Sequence, residues 1–212
     1  MVLTSPKNDI VEEQIILSEI IPRKQLWTAA HVCKAMESGL FNDDIDWSHL
    51  ELLEGEFIEK IPQNYPHTFA ILTIQAYLVS AFGEANHIGT KMPIHVDEYS
   101  EPEPDLMVVS GTPHDYDQHP TGKDVRLVVE VSNSSDHADC VIKPRLYAKG
   151  GVPEYWVLRL KSRTLEVRTD PRLMNVATGE YGYQTTRVYT EHDSIAPLSA
   201  PNATIKVAAM LR

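Results

Sequence analysis

The sequence predicts an α/β fold with a central mixed β-sheet flanked by helices and with N-terminal and C-terminal β extensions. Two segments rich in apolar and β-branched residues, DLMVV at residues 105–109 and RLVVEV at 126–131, have the composition of buried strands. A helix-length segment follows the second of them and ends at Gly150 and Gly151, before the strand-like EYWVLRL at 154–160. That order predicts a right-handed βαβ unit with two parallel strands.

Length, charge and cysteine content limit the classes of protein to which the chain can belong. Its 212 residues suffice for one buried core, which we place at residues 27–212 as a single domain behind an arm at residues 1–26. The 19 basic and 30 acidic residues give a net charge of -11. This balance counts against a nonspecific DNA-coating protein and requires any contact with nucleic acid to be local. Cys33 and Cys140 form no CxxC pair, which favours reduced thiols and a cytoplasmic protein.

The predicted arm carries an apolar cluster that has no obvious partner within the core. Its members are Ile15, Ile16, Leu17, Ile20 and Ile21. Such a cluster indicates a surface for another subunit, and a two-fold dimer is the commonest assembly, so we expect a homodimer. Neither a secretion signal nor an apolar run of about eighteen residues is found, so no membrane partner is expected.

The remaining elements are predicted from local patterns. Thr28 has the side chain of an N-cap for a helix that Gly39 ends, and ELLEGEFIEKIP at 51–62 predicts a short strand. Residues 67–82 are apolar around most of their circumference and therefore predict a mostly buried core helix. Residues 87–96 predict a strand that precedes DLMVV, and further strands, which extend the sheet or form a hairpin, are predicted at residues 163–169, 182–190 and 203–210.

Glu130 interrupts an otherwise apolar strand. A buried carboxylate is costly unless a cation, a proton or a strong donor compensates it, and packing supplies none of these. Because successive side chains of a strand point to opposite faces, Glu130 shares one face with Val128 and Ser132. The other face carries Leu127, Val129 and Val131.

Asp105 is the second acid of interest, because it follows Pro104 at the start of its strand. If the two strands are neighbours, Asp105 and Glu130 can converge on one hard cation. Mg²⁺ is usually held by one or two carboxylates with water and substrate phosphate, and it both activates water and neutralises phosphoryl charge. The pair therefore indicates phosphodiester hydrolysis, for which a nearby lysine would orient water or stabilise charge.

The ordered motifs resemble the Uma family of putative restriction endonucleases in the PD-(D/E)XK nuclease superfamily. The resemblance rests on EPEPD, VVEVS, the spacing D-x-x-x-K-x-x-x-Y at Asp139, Lys143 and Tyr147, and GGVPEYWVL. Upstream, LELLEGEFIEKIP and the step from Pro62 to His67 are similar to family features. The likeness covers roughly residues 27–168.

That resemblance implies a restriction-endonuclease-like core that cleaves DNA with Mg²⁺, for which Mn²⁺ can substitute. It implies Asp105 and Glu130 as metal ligands and as catalytic residues together with Lys143, and it makes Glu56 and His67 auxiliary candidates. Ser132 stands where the superfamily's Glu-x-Lys motif has its lysine, and Lys143 occupies the position to which the Uma family has moved that residue.

Two departures from the family pattern bear on the site. Pro144 follows Lys143 directly, and a proline inside a helix removes a backbone donor and costs about 3 kcal/mol. Either the helix starts at Pro144, which would leave Asp139 and Lys143 in a loop, or it is kinked there. Arg159 occupies a place where the family usually carries an acid.

Simpler interpretations exist for each candidate residue. Glu130 could be paired with Arg126 or Lys143 at a sheet edge, and Asp105 could close a turn beside its proline. Lys143 could be an ordinary solvated helix residue, and the histidines show no zinc-motif spacing. Two functional classes follow: a Mg²⁺-dependent DNA endonuclease, and a noncatalytic binding or regulatory protein that keeps the nuclease fold. The presence of both carboxylates favours the endonuclease.

Overall fold

The computed structural model describes residues 25–39, 49–60, 62–133 and 138–212. Its helices are α1 (Ala29–Glu37), α2 (Tyr65–Phe82) and α3 (Lys143–Gly150), and a hairpin of β1 (Leu50–Leu53) and β2 (Glu56–Glu59) precedes α2. The arm predicted at residues 1–26 lies outside the described residues except for Gln25 and Leu26, so its part in a homodimer stays a prediction.

A six-stranded mixed sheet forms the centre of the described structure. Its strands, in spatial and chain order, are β3 (Asn86–Gly89), β4 (Leu106–Ser110), β5 (Val125–Ser132), β6 (Glu154–Arg159), β7 (Thr164–Asn175) and β8 (Glu180–Thr190). Neighbouring strands are antiparallel except β5 and β6, which are parallel and joined through α3. The mixed sheet with flanking helices confirms the predicted fold class.

The two faces of β5 enter different parts of the core, as strand alternation predicts. Leu127 and Val129 belong to a cluster that includes Ile74 of α2. Val128 belongs to a second cluster with Tyr147 of α3. A central strand covered on both faces is apolar along its whole length, which makes the single carboxylate of β5 costly to bury.

Helix α2 begins at Tyr65, two residues before the predicted start, because the Asn64 side chain accepts a hydrogen bond from the His67 amide and caps the helix. The prediction that this helix is mostly buried is wrong. One face packs on the sheet through residues such as Ile74, whereas Leu72 and Val79 are 61% and 56% exposed.

Within the described part of the chain, one helix is long and apolar enough to cross a membrane by length and composition, and it extends from Tyr65 to Ala85. Core helices of soluble proteins have the same properties, and the buried face of this one lies on the sheet.

Two strand predictions before β4 need correction, and a third concerns the C-terminal end. ELLEGEFIE forms a hairpin rather than one strand, because Glu54 and Gly55 take positive φ angles of 51° and 80° at the turn. Of residues 87–96, only the beginning belongs to a strand, since Lys91 has a φ angle of 49° and Pro93 lacks an amide donor.

At the C-terminal end, residues 163–169 and 182–190 lie in the long β7–β8 hairpin, as predicted. The segment 203–210 contributes only the two-residue strand β10 (Ile205–Lys206), which pairs with β9 (Ser194–Ile195). A 3-10 turn at Val207–Met210 follows and inserts Val207 and Met210 into the core.

Gly122 lies against the last turn of α3 so closely that a Cβ atom at this position would be 2.4 Å from the carbonyl oxygen of Gly150. We expect Gly122→Ala to lower the free energy of unfolding by about 1–3 kcal/mol, because backbone must move to relieve the overlap. Gly150→Ala is the matched control, since its Cβ would be 3.5 Å from a methyl group of Val96. Urea denaturation should show a loss for Gly122→Ala only, and equal stability of the two variants would contradict this packing argument.

Candidate active site

The register between β4 and β5 brings Asp105 and Glu130 together. Leu106, the first residue of β4, pairs with Val129. Asp105, which comes directly before β4, therefore lies opposite Glu130. The Asp105 amide donates to Glu130 Oε2 at 3.2 Å, and the Val131 amide donates to Asp105 Oδ2 at 2.9 Å. The two acids that the sequence analysis selected therefore lie side by side, both buried.

The start of α2 supplies further contacts to Asp105. Gln63 Nε2 donates to Asp105 Oδ1 at 3.0 Å, and His67 Nε2 lies 3.1 Å from Oδ2. His67, an auxiliary candidate from the sequence, thus lies at the site. Gln63 was not predicted, because a glutamine just before a helix cap has no distinguishing pattern.

Lys143 lies at the centre of a buried cluster of acids. Its Nζ atom is 2.9 Å from Glu130 Oε1, 3.2 Å from Glu51 Oε1 and 3.4 Å from Asp139 Oδ1. The Tyr147 hydroxyl, one helical turn later, donates to Glu130 Oε1 at 3.0 Å. The simpler interpretation of Lys143 as a solvated residue is wrong, because only 5% of it is exposed.

The local backbone explains how Lys143 can be followed by a proline and still lie at the start of a helix. The segment Ala138–Ile142 winds as a π-helical turn, and α3 begins at Lys143, so Pro144 lies in the first turn of the α-helix. There a missing amide hydrogen costs little, because the first four amides of a helix have no partner within it. Asp139 and Lys143, which are four residues apart, form an ion pair across this turn.

Burial and charge determine the protonation of the cluster. Burial raises the pKa of the Glu130 carboxyl well above its ordinary value of 4.5, and the positive charge of Lys143 opposes that shift. Burial by itself would lower the pKa of Lys143, but the negative charges of Glu130, Glu51 and Asp139 raise it well above its ordinary value. Lys143 is therefore an ammonium at neutral pH and cannot act there as a general base.

Glu51 is a site residue that the sequence analysis missed. It lies on β1, and its Oε2 accepts a hydrogen bond of 3.1 Å from the Glu103 amide. The hairpin is fixed to the strand leading into Asp105 by a further bond, from the Glu101 amide to the Leu52 carbonyl at 2.8 Å. The signal that identified Glu130 was present here too, since Glu51 interrupts a leucine-rich run.

Glu56 was predicted near the site, and the structure places it elsewhere. It is exposed at the start of β2, where it pairs with Leu53 beside the turn. Glu51 pairs with Ile58, two residues further from the turn. Because two strand residues span about 6.6 Å, the carboxylate of Glu56 is displaced along the hairpin and does not line the cleft.

These side chains line a cleft of about 570 Å³. Its floor is formed by Asp105, Glu130 and Lys143, and its walls include His49, Lys60 and Lys91. Lys60 is paired with Glu103 at 2.6 Å. The walls therefore carry lysines together with Glu59 and Glu103 around an acidic floor.

The donor chemistry of Asp105 and Glu130 fits a hard divalent cation. Within the described residues, no three or more His, Cys, Asp or Glu side chains are grouped so that they could hold a metal by themselves. Mg²⁺ does not need such a cage, because it binds through one or two carboxylates and takes its other ligands from water and substrate phosphate. The two adjacent carboxylates on the cleft floor meet that requirement.

Comparisons with known proteins agree with the motif resemblance. Residues 41–208 match the model of the Uma2 family, described as a putative restriction endonuclease. The crystal structure of a putative nuclease belonging to DUF820 from Anabaena variabilis superposes with a TM-score of 0.58 at 16% identity, over 76% of this chain and 88% of that chain. At this identity the likeness shows the fold. No curated protein matches.

Removing the buried ammonium should destabilise the protein in a pH-dependent way. We expect Lys143→Met to lower the free energy of unfolding by about 3–5 kcal/mol at about pH 8, because Glu130, Glu51 and Asp139 lose their shared counter-charge. Without the ammonium, the folded-state pKa of Glu130 should rise further above its unfolded value, so the folded state gains a proton as the pH falls. The deficit should therefore shrink at about pH 5.5.

Urea denaturation at both pH values measures this effect. Lys149→Met is the matched control, because Lys149 lies on the same helix in an exposed pair with Asp97. A pH-independent deficit for Lys143→Met, or an equal deficit for Lys149→Met, would contradict the electrostatic origin.

Proposed function

Because the chain belongs to the Uma2 family of putative restriction endonucleases, we propose that it is a Mg²⁺-dependent endonuclease that hydrolyses DNA phosphodiester bonds. The observation that carries the proposal is the convergence of Asp105 and Glu130 beside a buried ammonium on the floor of one cleft. A structural role alone does not explain this arrangement, because replacing a buried ion pair with apolar residues is often neutral or stabilising.

Asp105 and Glu130 are the residues that would hold the metal. Such an ion supplies Lewis-acid charge and lowers the pKa of bound water. The protein orients both ligands beforehand: the Val131 amide and His67 hold Asp105, while Lys143 and Tyr147 hold Glu130. Preorganised carboxylates lose little freedom when they bind an ion, so these neighbours act as positioning residues.

Lys143 would act through its charge. The negative charges of its acidic neighbours raise its pKa and favour the ammonium form, which would stabilise the negative charge that develops on the phosphoryl oxygens. Its Nζ atom is 2.9 Å from the proposed ligand Glu130, so the ammonium would lie close to a phosphate that shared a metal ion with Glu130. Lys143 is therefore a proposed catalytic residue of electrostatic function.

The cleft walls would supply the local contact with DNA that the acidic chain needs. His49, Lys60 and Lys91 surround the acidic floor. A net charge of -11 repels a polyanion at long range, so binding should depend on these close contacts and should weaken as salt rises.

Metal binding is expected to require both carboxylates and to strengthen with pH. Titration calorimetry with Mg²⁺ or Mn²⁺ should detect binding to the wild type, and Asp105→Asn and Glu130→Gln should abolish it. Because burial raises the pKa of Glu130, protons compete with the metal, and affinity should increase between about pH 6 and pH 8. Asp170→Asn is the control, since Asp170 is an exposed residue paired with Arg172. Unchanged affinity in Glu130→Gln would reject the ligand assignment.

Cleavage of DNA is expected at low salt with Mg²⁺ or Mn²⁺ and should be absent in Asp105→Asn. Lys143→Met should lower kcat about 100-fold or more, as loss of one stabilising group in a preorganised site does. Lys149→Met should cleave like the wild type. Folded, metal-binding protein that cleaves no nucleic acid would instead support the noncatalytic binding or regulatory protein.

A further inference from the structure

We propose that Arg168, held by Glu166 together with Arg159, is a positioning residue that fixes Lys143 by binding the backbone of the π-helical turn that precedes it. This inference rests on the proposed function, because it assigns a role in the same site. The three residues lie on β6 and β7, across the sheet from β4, and none of them belongs to the motifs that identify the cleft.

Arg168 binds this turn directly. Its Nη2 atom donates to the Cys140 carbonyl at 3.2 Å. Cys140 lies in the π-helical turn Ala138–Ile142, three residues before Lys143. The guanidinium therefore holds the backbone segment that leads into Lys143.

Two further side chains fix the same turn. The Tyr155 hydroxyl donates to the Asp139 carbonyl at 2.8 Å, and Arg159 Nη1 donates to Cys140 Sγ at 3.0 Å. The π-helical turn therefore has its Asp139 and Cys140 backbone bound by the sheet immediately before Lys143. A turn held at these points presents Lys143 and Asp139 in one orientation.

Glu166 organises the two arginines. Its Oε2 accepts from Arg159 Nη2 at 2.7 Å, and its Oε1 accepts from Arg168 Nε. Burial by itself would raise the pKa of Glu166. The hydrogen bonds and positive charges of the two arginines outweigh that effect and lower the pKa below its ordinary value. The carboxylate is consequently ionised at neutral pH and keeps both guanidinium groups in place.

Sheet register connects this group to the cleft. Glu130 pairs with Val157 on β6, and Val157 pairs with Glu166 on β7. Paired residues project from the same face of a sheet, so Glu166 lies on the face that carries Glu130, two strands away. Tyr155 pairs with Arg168 in the adjacent row. Glu166 therefore lies on the same face of the sheet as Glu130, to which Lys143 binds, and the two arginines that it holds contact the turn before α3.

Arg168→Met tests the proposal, with Arg172→Met as the matched control on the same strand. Arg172 is exposed and pairs with Asp170, away from the turn. Side-chain ¹⁵N NMR of ¹⁵N-labelled protein reports the Lys143 ammonium directly, and the signal is identified by its loss in Lys143→Met. Burial and three acidic partners should make this ammonium exchange slowly with water in the wild type.

We expect Arg168→Met to lose the Lys143 signal through faster exchange and to lower kcat by about 100-fold, the size of effect that a displacement of about 1 Å produces. KM should stay within about twofold, since a group acting in the transition state affects kcat. Arg172→Met should retain both the signal and kcat. If Arg168→Met does not fold, Glu166→Gln, which weakens the hold on both arginines, is measured in the same way.

Retention of the Lys143 signal in a folded Arg168→Met would overturn the proposal, whether or not cleavage falls. A rise in KM with unchanged kcat would also overturn it, because it would indicate a role in binding DNA. The NMR measurement needs no substrate. If the wild type cleaves nothing, the proposed function fails, while loss of the ammonium signal in Arg168→Met still supports the positioning role.

Discussion

The buried ammonium of Lys143 is the interaction on which the rest of the site depends. Glu130 comes from the central strand β5, Glu51 from the β1–β2 hairpin and Asp139 from the turn before α3, and each faces the same Nζ atom. Three carboxylates could not be brought together out of water without a positive charge among them. The ion cluster therefore joins three separate segments of the chain and also forms part of the floor of the cleft.

Much of this arrangement could be predicted from the sequence because its signals are local. An acid inside a valine-rich strand identifies Glu130, and strand alternation gives its face correctly. Glu51 carries the same signal, whereas Glu56, to which the family resemblance pointed, lies beyond the hairpin turn at Glu54 and Gly55. A strand that turns back moves its last residues away from the site, and only the positive φ angles at the turn show this.

Other features could not be predicted, because they depend on contacts between distant parts of the chain. Pro144 next to Lys143 indicates a broken helix when the sequence is considered locally. In the structure, a π-helical turn precedes α3, and Arg168, 24 residues after Pro144, donates to the Cys140 carbonyl of that turn. Similarly, the apolar composition of α2 predicts burial on all sides, whereas the fold provides a sheet on one side only and leaves Leu72 and Val79 exposed. Such outcomes depend on topology, which local composition does not encode.

The charge of the cleft has a consequence for the order of events in the proposed reaction. Glu51, Glu130 and Asp139 surround the single positive charge of Lys143, and Asp105 is a fourth acidic side chain beside them, so acids outnumber bases on the floor. A phosphate diester entering this floor would meet net repulsion in a region of low dielectric, where charge interactions are strong. In the proposed reaction, a divalent cation bound to the same carboxylates would offset part of that negative charge. The proposal therefore implies that the metal binds before the DNA or together with it, because the lysines on the cleft walls would otherwise have to hold a phosphate against the repulsion of the floor.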